Sequence, residues 1–301
     1  MSMATPTPEL AAAARADRPS ALRKIRDVVL SSPIVLVATV VLVVVVVASV
    51  FSPWLAPHDP TRLTPALRLR PPDGTYWLGT DAFGRDLFSR IMVGGQMSLA
   101  IGVAAALVAV AAGLVLGLLA GFVRWLDGIL MRFVDGLMAI PNILLAIAIV
   151  TLWGAGFWTV LFAICLPEIP RVVRLVRSVV LSAREEPYVE AAIAAGSSTF
   201  LIMRRHLLPN TVAPLIVQGT YICASAILVE AILSFLGAGI NPETPTWGNI
   251  MAEGRMLFQI NPGIILWPGL VVSLTILSIN LVGDAVRDAL DPRMAKRGIE
   301  R

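Results

Sequence analysis

Long apolar runs separated by short charged clusters set the rhythm of this chain. The first run, residues 33–51, is mostly valine and carries no charge. Residues 99–123 form a second run of 25 uncharged positions, and Asp135 and Glu168 enclose a third stretch of 32. Two more runs follow at 211–236 and 264–283, the former charged only at Glu230. A helix crossing a bilayer core of about 30 Å needs about 20 apolar residues. Each run therefore predicts one span, and the 32-residue stretch predicts two, turning at Gly154-Ala155-Gly156. The third span then covers about 135–153, kinked at Pro141. The fourth starts near Phe157 and runs through Pro167, Glu168 and Pro170 into Arg171, Arg174 and Arg177, spaced as a snorkelling collar.

The segments between the runs carry different signals. Six prolines between Pro53 and Pro72 exclude a continuous helix after the first span. The string LGTDAFGRD at 78–86 precedes Leu87, Phe88, Ile91 and Met92, whose spacing predicts an amphipathic helix lying at the outer interface. Asp81 and Asp86 in that string read as a turn and a helix start rather than a metal pair. Gly113, Gly117 and Gly121 recur every four residues, which predicts a face for close helix packing in a bilayer. Trp247 in the second outer loop reads as an interfacial cap. Gln218, Glu230 and Asn280 are polar inside predicted spans and are candidates for the pathway or the bundle interior.

Composition agrees with the pattern. Hydrophobic residues are 57% of the 301 and charged residues 15%, which describes an all-α membrane protein with six transmembrane helices. One membrane domain covers 31–296, with tails at 1–30 and 297–301. Its outer loops lie at about 52–96 and 237–262, and a polar insert lies at about 182–210. Six spans put both termini on one side, and that side holds 18 Lys/Arg against six on the other. The positive-inside rule makes it the cytoplasm. The net charge of +4 belongs to this topology and gives no reason to expect nucleic acid. Cys165 and Cys223 fall inside spans as small core residues, and no cleavable signal is expected.

Chemistry is sparse. No G-x(4)-G-K-[ST] phosphate loop, no metal-ligand cluster and no nucleophile elbow occurs; His58 and His206 are the only histidines. The chain is not read as an enzyme, and it holds no cofactor of its own. The feature that stands out is the insert, EAAIAAGSSTFLIMRRHLLPN at 190–210. Pro187 suits a first helical turn, Gly196 a left-handed stop, and Ser197 or Ser198 the cap of a second helix that Pro209 stops or kinks. A short alanine-rich helix of this kind offers a thin surface to another protein's groove.

Glu190-Ala191-Ala192, Gly196 and Leu208-Pro209 resemble the E-A-A-x(3)-G-x(9)-I-x-L-P signature of permease subunits of ATP-driven importers, with His206 at the isoleucine position. Together with LGTDAFGRD, SFLGAGINPETPTWGNIMAEGR and ILSINLVGDAVRDALDPR, the chain is similar to the C-type transmembrane subunit of a dipeptide/oligopeptide (or nickel) ABC importer. In that subfamily His206 at this position is usual. The resemblance implies a type I importer permease fold in the cell membrane and alternating access for peptides, with nickel or another small solute as the second reading. It implies as partners a homologous second permease, two cytoplasmic ATP-binding subunits that hold the ATP and Mg, and an extracytoplasmic substrate-binding protein. By position, Glu190, Ala191, Ala192 and Gly196, with Leu208 and Pro209, would couple to the ATPase. A secondary transporter would need no such insert and would show internal repeats and midplane ion sites.

Overall fold

The computed structural model describes residues 21–290, and the expected tails lie largely or wholly outside them. Among the described residues all regular structure is helical. Helix α1 (Ala21–Ser31) leads into α2 (Pro33–Val50), and single turns at Ser52–Leu55 and Pro65–Leu67 interrupt the proline-rich loop. Then come α3 (Leu87–Phe122), α4 (Arg124–Met138), α5 (Asn142–Trp153) and α6 (Phe157–Arg184). The insert supplies α7 (Pro187–Ala194), α8 (Thr199–Ile202) and a π-turn at Met203–Leu207. The chain finishes with α9 (Leu208–Phe235), α10 (Trp247–Gly254) and α11 (Gly263–Leu290). Among the described residues four helices are long and apolar enough to cross a membrane: α2, α3, the α8–α9 unit and α11. A further crossing is available from α4 and α5 taken together. Helix α6, about 42 Å long, is polar in its second half.

The most extensive helix contact joins α3 and α6. Its cause is the predicted glycine face. A Cβ at Gly113, Gly117 or Gly121 would come within 2.4, 2.6 and 2.6 Å of Val172, Val176 and Val180. Three glycines spaced by four thus receive three valines spaced by four, and the backbones close to a distance that no larger residue allows. Against this pair α9 packs Ile222, Ala226 and Ile227, and α11 in turn packs on α9, α2 and α10, with Val272 and Ile279 buried there.

Several expectations change. The amphipathic helix at 87–92 is not a separate interfacial element: Asp86 caps α3, accepting the Ser89 N–H at 3.2 Å, and the helix runs on unbroken for 36 residues. Leu87 and Ile91 are buried because α10 and α11 cover them, and Met92 is buried as well. Trp247 is not an interfacial cap. It is fully buried, with its indole N–H on the Ile91 carbonyl at 2.9 Å. The kink at Pro141 is a full break, with α5 turning 87° from α4. The charged segment around Arg124 and Asp127, between two apolar runs, is itself helical. Pro209 does not stop a helix either. It sits in the first turn of α9, and the π-turn before it widens the helix where the proline ring would strike the Arg205 carbonyl. Finally, the arginine collar is pinned: Arg174 holds Asp135 at 2.6 Å, Arg177 holds Asp127 at 2.7 Å, and Arg171 holds Glu168 at 2.8 Å.

Candidate functional site

The insert between α6 and α9 is built as its sequence suggests and is then left uncovered. Pro187 occupies the first turn of α7, after Glu186 in extended conformation. Val189 is the anchor, fully buried among Val176, Val180, Ile202 and Leu207, with Ala192 against the same cluster. Helix α7 ends in a Schellman motif: Ser197 N–H bonds the Ala192 carbonyl at 3.1 Å and Gly196 N–H the Ile193 carbonyl at 3.0 Å. Gly196 takes φ +76°, the left-handed conformation that side chains resist. The Ser198 hydroxyl then accepts the Leu201 N–H at 3.4 Å and starts α8.

A second tie fixes the angle of α7. The Asn210 amide donates to the His206 carbonyl at 2.7 Å and to the Tyr188 hydroxyl at 2.9 Å. The Tyr188 and His206 rings lie 5.8 Å apart. A hollow of about 540 Å³ opens beside this tie, between α6, Glu186, Tyr188 and Asn210. The opposite surface of the insert is open: Glu190, Ala191, Ala194 and Gly196 are exposed, and so are Ile193, Phe200 and Leu201. A Cβ at Gly196 would meet nothing within 4 Å. Glu190, Ala191 and Gly196 therefore share an accessible surface, whereas Ala192 faces the bundle. Leu208 is half-buried and Pro209 exposed at the foot of α9.

The three polar candidates within the spans do not form one site. Glu230 is fully buried. Its carboxylate accepts from Ser98 at 3.1 Å and Ser234 at 2.8 Å, and the Ser98 oxygen in turn accepts the Trp247 N–H at 3.2 Å. That chain joins α3, α9 and α10, so Glu230 is a bundle-interior group. Gln218 and Asn280 are half-buried and make no side-chain hydrogen bond among the described residues.

A cluster at the other end of the bundle went unread in the sequence. Arg85 bonds Asp81 at 2.6 Å and Glu253 at 2.6 Å. Arg90, almost wholly buried, also contacts Asp81 and holds both Glu253 oxygens at 2.6 and 2.9 Å. Two loops far apart in sequence are thereby clamped. The available signal was charge matching between LGTDAFGRD and MAEGR. In the same loop Asp73 accepts the N–H groups of Tyr76 at 2.7 Å and Thr75 at 2.8 Å, which hold its carboxyl below the usual range. Asp81 and Asp86 serve arginines and a helix cap, and no group of three or more His, Cys, Asp or Glu is placed for a metal among the described residues.

Residues 113–296 match the family of binding-protein-dependent transport system inner membrane components, and residues 20–72 match the N-terminal TM domain of oligopeptide transport permease C. A probable peptide ABC transporter permease protein of Sinorhizobium fredii is 45% identical over 239 residues, 79% of this chain and 82% of that one. The dipeptide transport system permease protein of Alkalihalophilus pseudofirmus is 40% identical over 260 residues, 86% of each. The glutathione transport system permease protein of Escherichia coli is 40% identical, covering 85% of this chain and 86% of its own. Among solved structures, an inward-facing form of the MetNI methionine ABC transporter matches 67% of this chain and 97% of its own at 20% identity, with a TM-score of 0.55, which establishes the fold. The chain belongs to the family of binding-protein-dependent transport system inner membrane components, and is a multi-pass permease of the inner membrane with the type I ABC importer fold.

Proposed function

We propose that this permease carries peptides inward and that α7 is where partner ATPases drive it. The cargo reading is supported by the relatives, whose names specify peptides, dipeptides and glutathione. The coupling reading rests on one observation. A short helix is anchored rigidly on the bundle by Val189 and Tyr188, yet presents Glu190, Ala191, Ile193 and Gly196 to no neighbour. With α6 counted as one crossing and α4–α5 as another the total is six, so both termini share a side. The 18-to-six bias of Lys/Arg supports reading that side, with the insert, as the cytoplasm. The chain pairs with a homologous permease, two ATP-binding subunits and an extracytoplasmic substrate-binding protein. ATP and Mg are held by the ATP-binding subunits. When those subunits close on ATP, they move α7 and, through it, α6 and α9, and the bundle alternates its access.

Glu190→Lys tests this reading. Removing one charged partner from a protein contact costs about 2–5 kcal/mol, and changing a bland surface Glu costs under about 0.5 kcal/mol. Co-purification should show weakened ATPase association, partly restored by a charge reversal on the ATPase. Unchanged assembly, hydrolysis and uptake would reduce the insert to a loop.

A further inference from the structure

Helices α4 and α5 bend by 87° at Ala139–Pro141, so at most one of them runs along the bundle. The ion pairs of α4 point to α4 as the one that crosses it. Asp127 and Asp135 stand about 12 Å apart along α4. Their partners Arg177 and Arg174 are only about 4.5 Å apart along α6. A helix that spreads that much of its length over so little of another crosses it steeply. With α6 crossing the membrane, α4 meets it steeply and lies near the membrane plane, at the level of Arg174 and Arg177, toward the end of the bundle that carries α7. The crossing of the α4–α5 pair then falls to α5 with its flanks, about residues 139–156.

The faces of α4 are sorted by chemistry. Val134 is buried, and both acids are engaged by α6. On the far side Trp125, Ile129 and Phe133 step by four along one stripe, 72%, 52% and 70% exposed. Arg132 borders the stripe and Arg124 opens the helix, and neither has an acidic partner among the described residues. Exposed Ile140, Ile143 and Leu144 continue the apolar surface through the break onto α5. An apolar stripe of this size, edged by guanidinium groups and held in the membrane plane, is complementary to one kind of surface.

We propose that α4 is an in-plane amphipathic helix seated in the leaflet nearest α7. Trp125, Ile129 and Phe133 lie among the acyl chains, and Arg124 and Arg132 hold the phosphates of anionic phospholipids. Guanidinium presents two N–H groups to one phosphate, which suits headgroup binding. The proposal goes beyond the transport reading and does not depend on which side of the membrane holds α7.

The test uses the assembled permease in nanodiscs, with Cys165 and Cys223 replaced and a bimane label at Ile129→Cys. Brominated phosphatidylglycerol should quench the label severalfold more than brominated phosphatidylcholine, since each basic group near an anionic surface enriches it on the order of fivefold. Arg124→Gln with Arg132→Gln should abolish that preference and retain the quenching. Equal quenching by the two lipids before those substitutions would overturn the headgroup assignment. A label shielded from both lipids and from aqueous iodide would mean that a protein partner covers the stripe, and would overturn the whole proposal.

Discussion

At the scale of single residues, the glycine–valine contact is the most exposed to test. A Cβ at Gly117 would sit 2.6 Å from Val176 and 3.0 Å from the Val173 carbonyl, with no flexible side chain to move aside. Gly117→Val should therefore cost about 1–3 kcal/mol or more by overpacking, read as a lower melting temperature in detergent. Val176→Ala should recover part of the loss, and Gly128→Ala, where nothing lies within 4 Å, should cost little. Arg90 is the second case. Arg90→Gln leaves Asp81 and Glu253 with Arg85 as their shared cation, so the cost should approach but not exceed the roughly 3–5 kcal/mol of a fully broken buried pair. Arg90→Lys should not restore the melting temperature, because a single ammonium cannot reproduce the fork that Asp81 and Glu253 share. The first contact was legible in the sequence, since small residues spaced by four mark a packing face without naming the partner. The second was not: Arg85 and Glu253 are 168 positions apart, and only the fold brings their charges together.

At the scale of elements, the insert was the most readable part of the chain. Pro187, Gly196 and Ser198 act through their own backbone preferences, so their roles survive whatever surrounds them. Gly196→Val puts a branched side chain at φ +76°, a local strain of about 1–2 kcal/mol with no clash behind it. The spans should keep their melting temperature within a few degrees, while ATP hydrolysis proceeds with transport reduced. Transport at the parent rate would show that the angle of α7 is unimportant. Elements decided by tertiary contact were misjudged. Leu87 to Met92 has the spacing of an interfacial helix, but α10 lies over it and makes it core. Pro209 has the chemistry of a stop, but the π-turn makes room for it.

At the scale of the molecule, apolar run length carried most of the architecture, because lipid forces every backbone group into helical bonds. Run length found the start of α6 near Phe157 but not its continuation to Arg184, since the second half buries polarity in pairs: Glu168 is buried and three arginines are each held by an acid. Sidedness is a prediction for the whole chain. Single cysteines at Gly196 and Glu243, both exposed, should label from opposite sides of sealed vesicles in a background lacking Cys165 and Cys223. Trp247 would be a poor reporter, being fully buried. Labelling of both positions from one side would refute the six-crossing topology.

The glycine–valine ladder also constrains how such a protein can change over generations. Each rung needs an absent side chain on α3 and a branched one on α6, so a substitution on one helix is harmful until the other answers it. Helices α3 and α6 are thus expected to change together. A chimera that takes α3 from a relative with different rungs should fail to assemble, and one that takes both helices together should succeed.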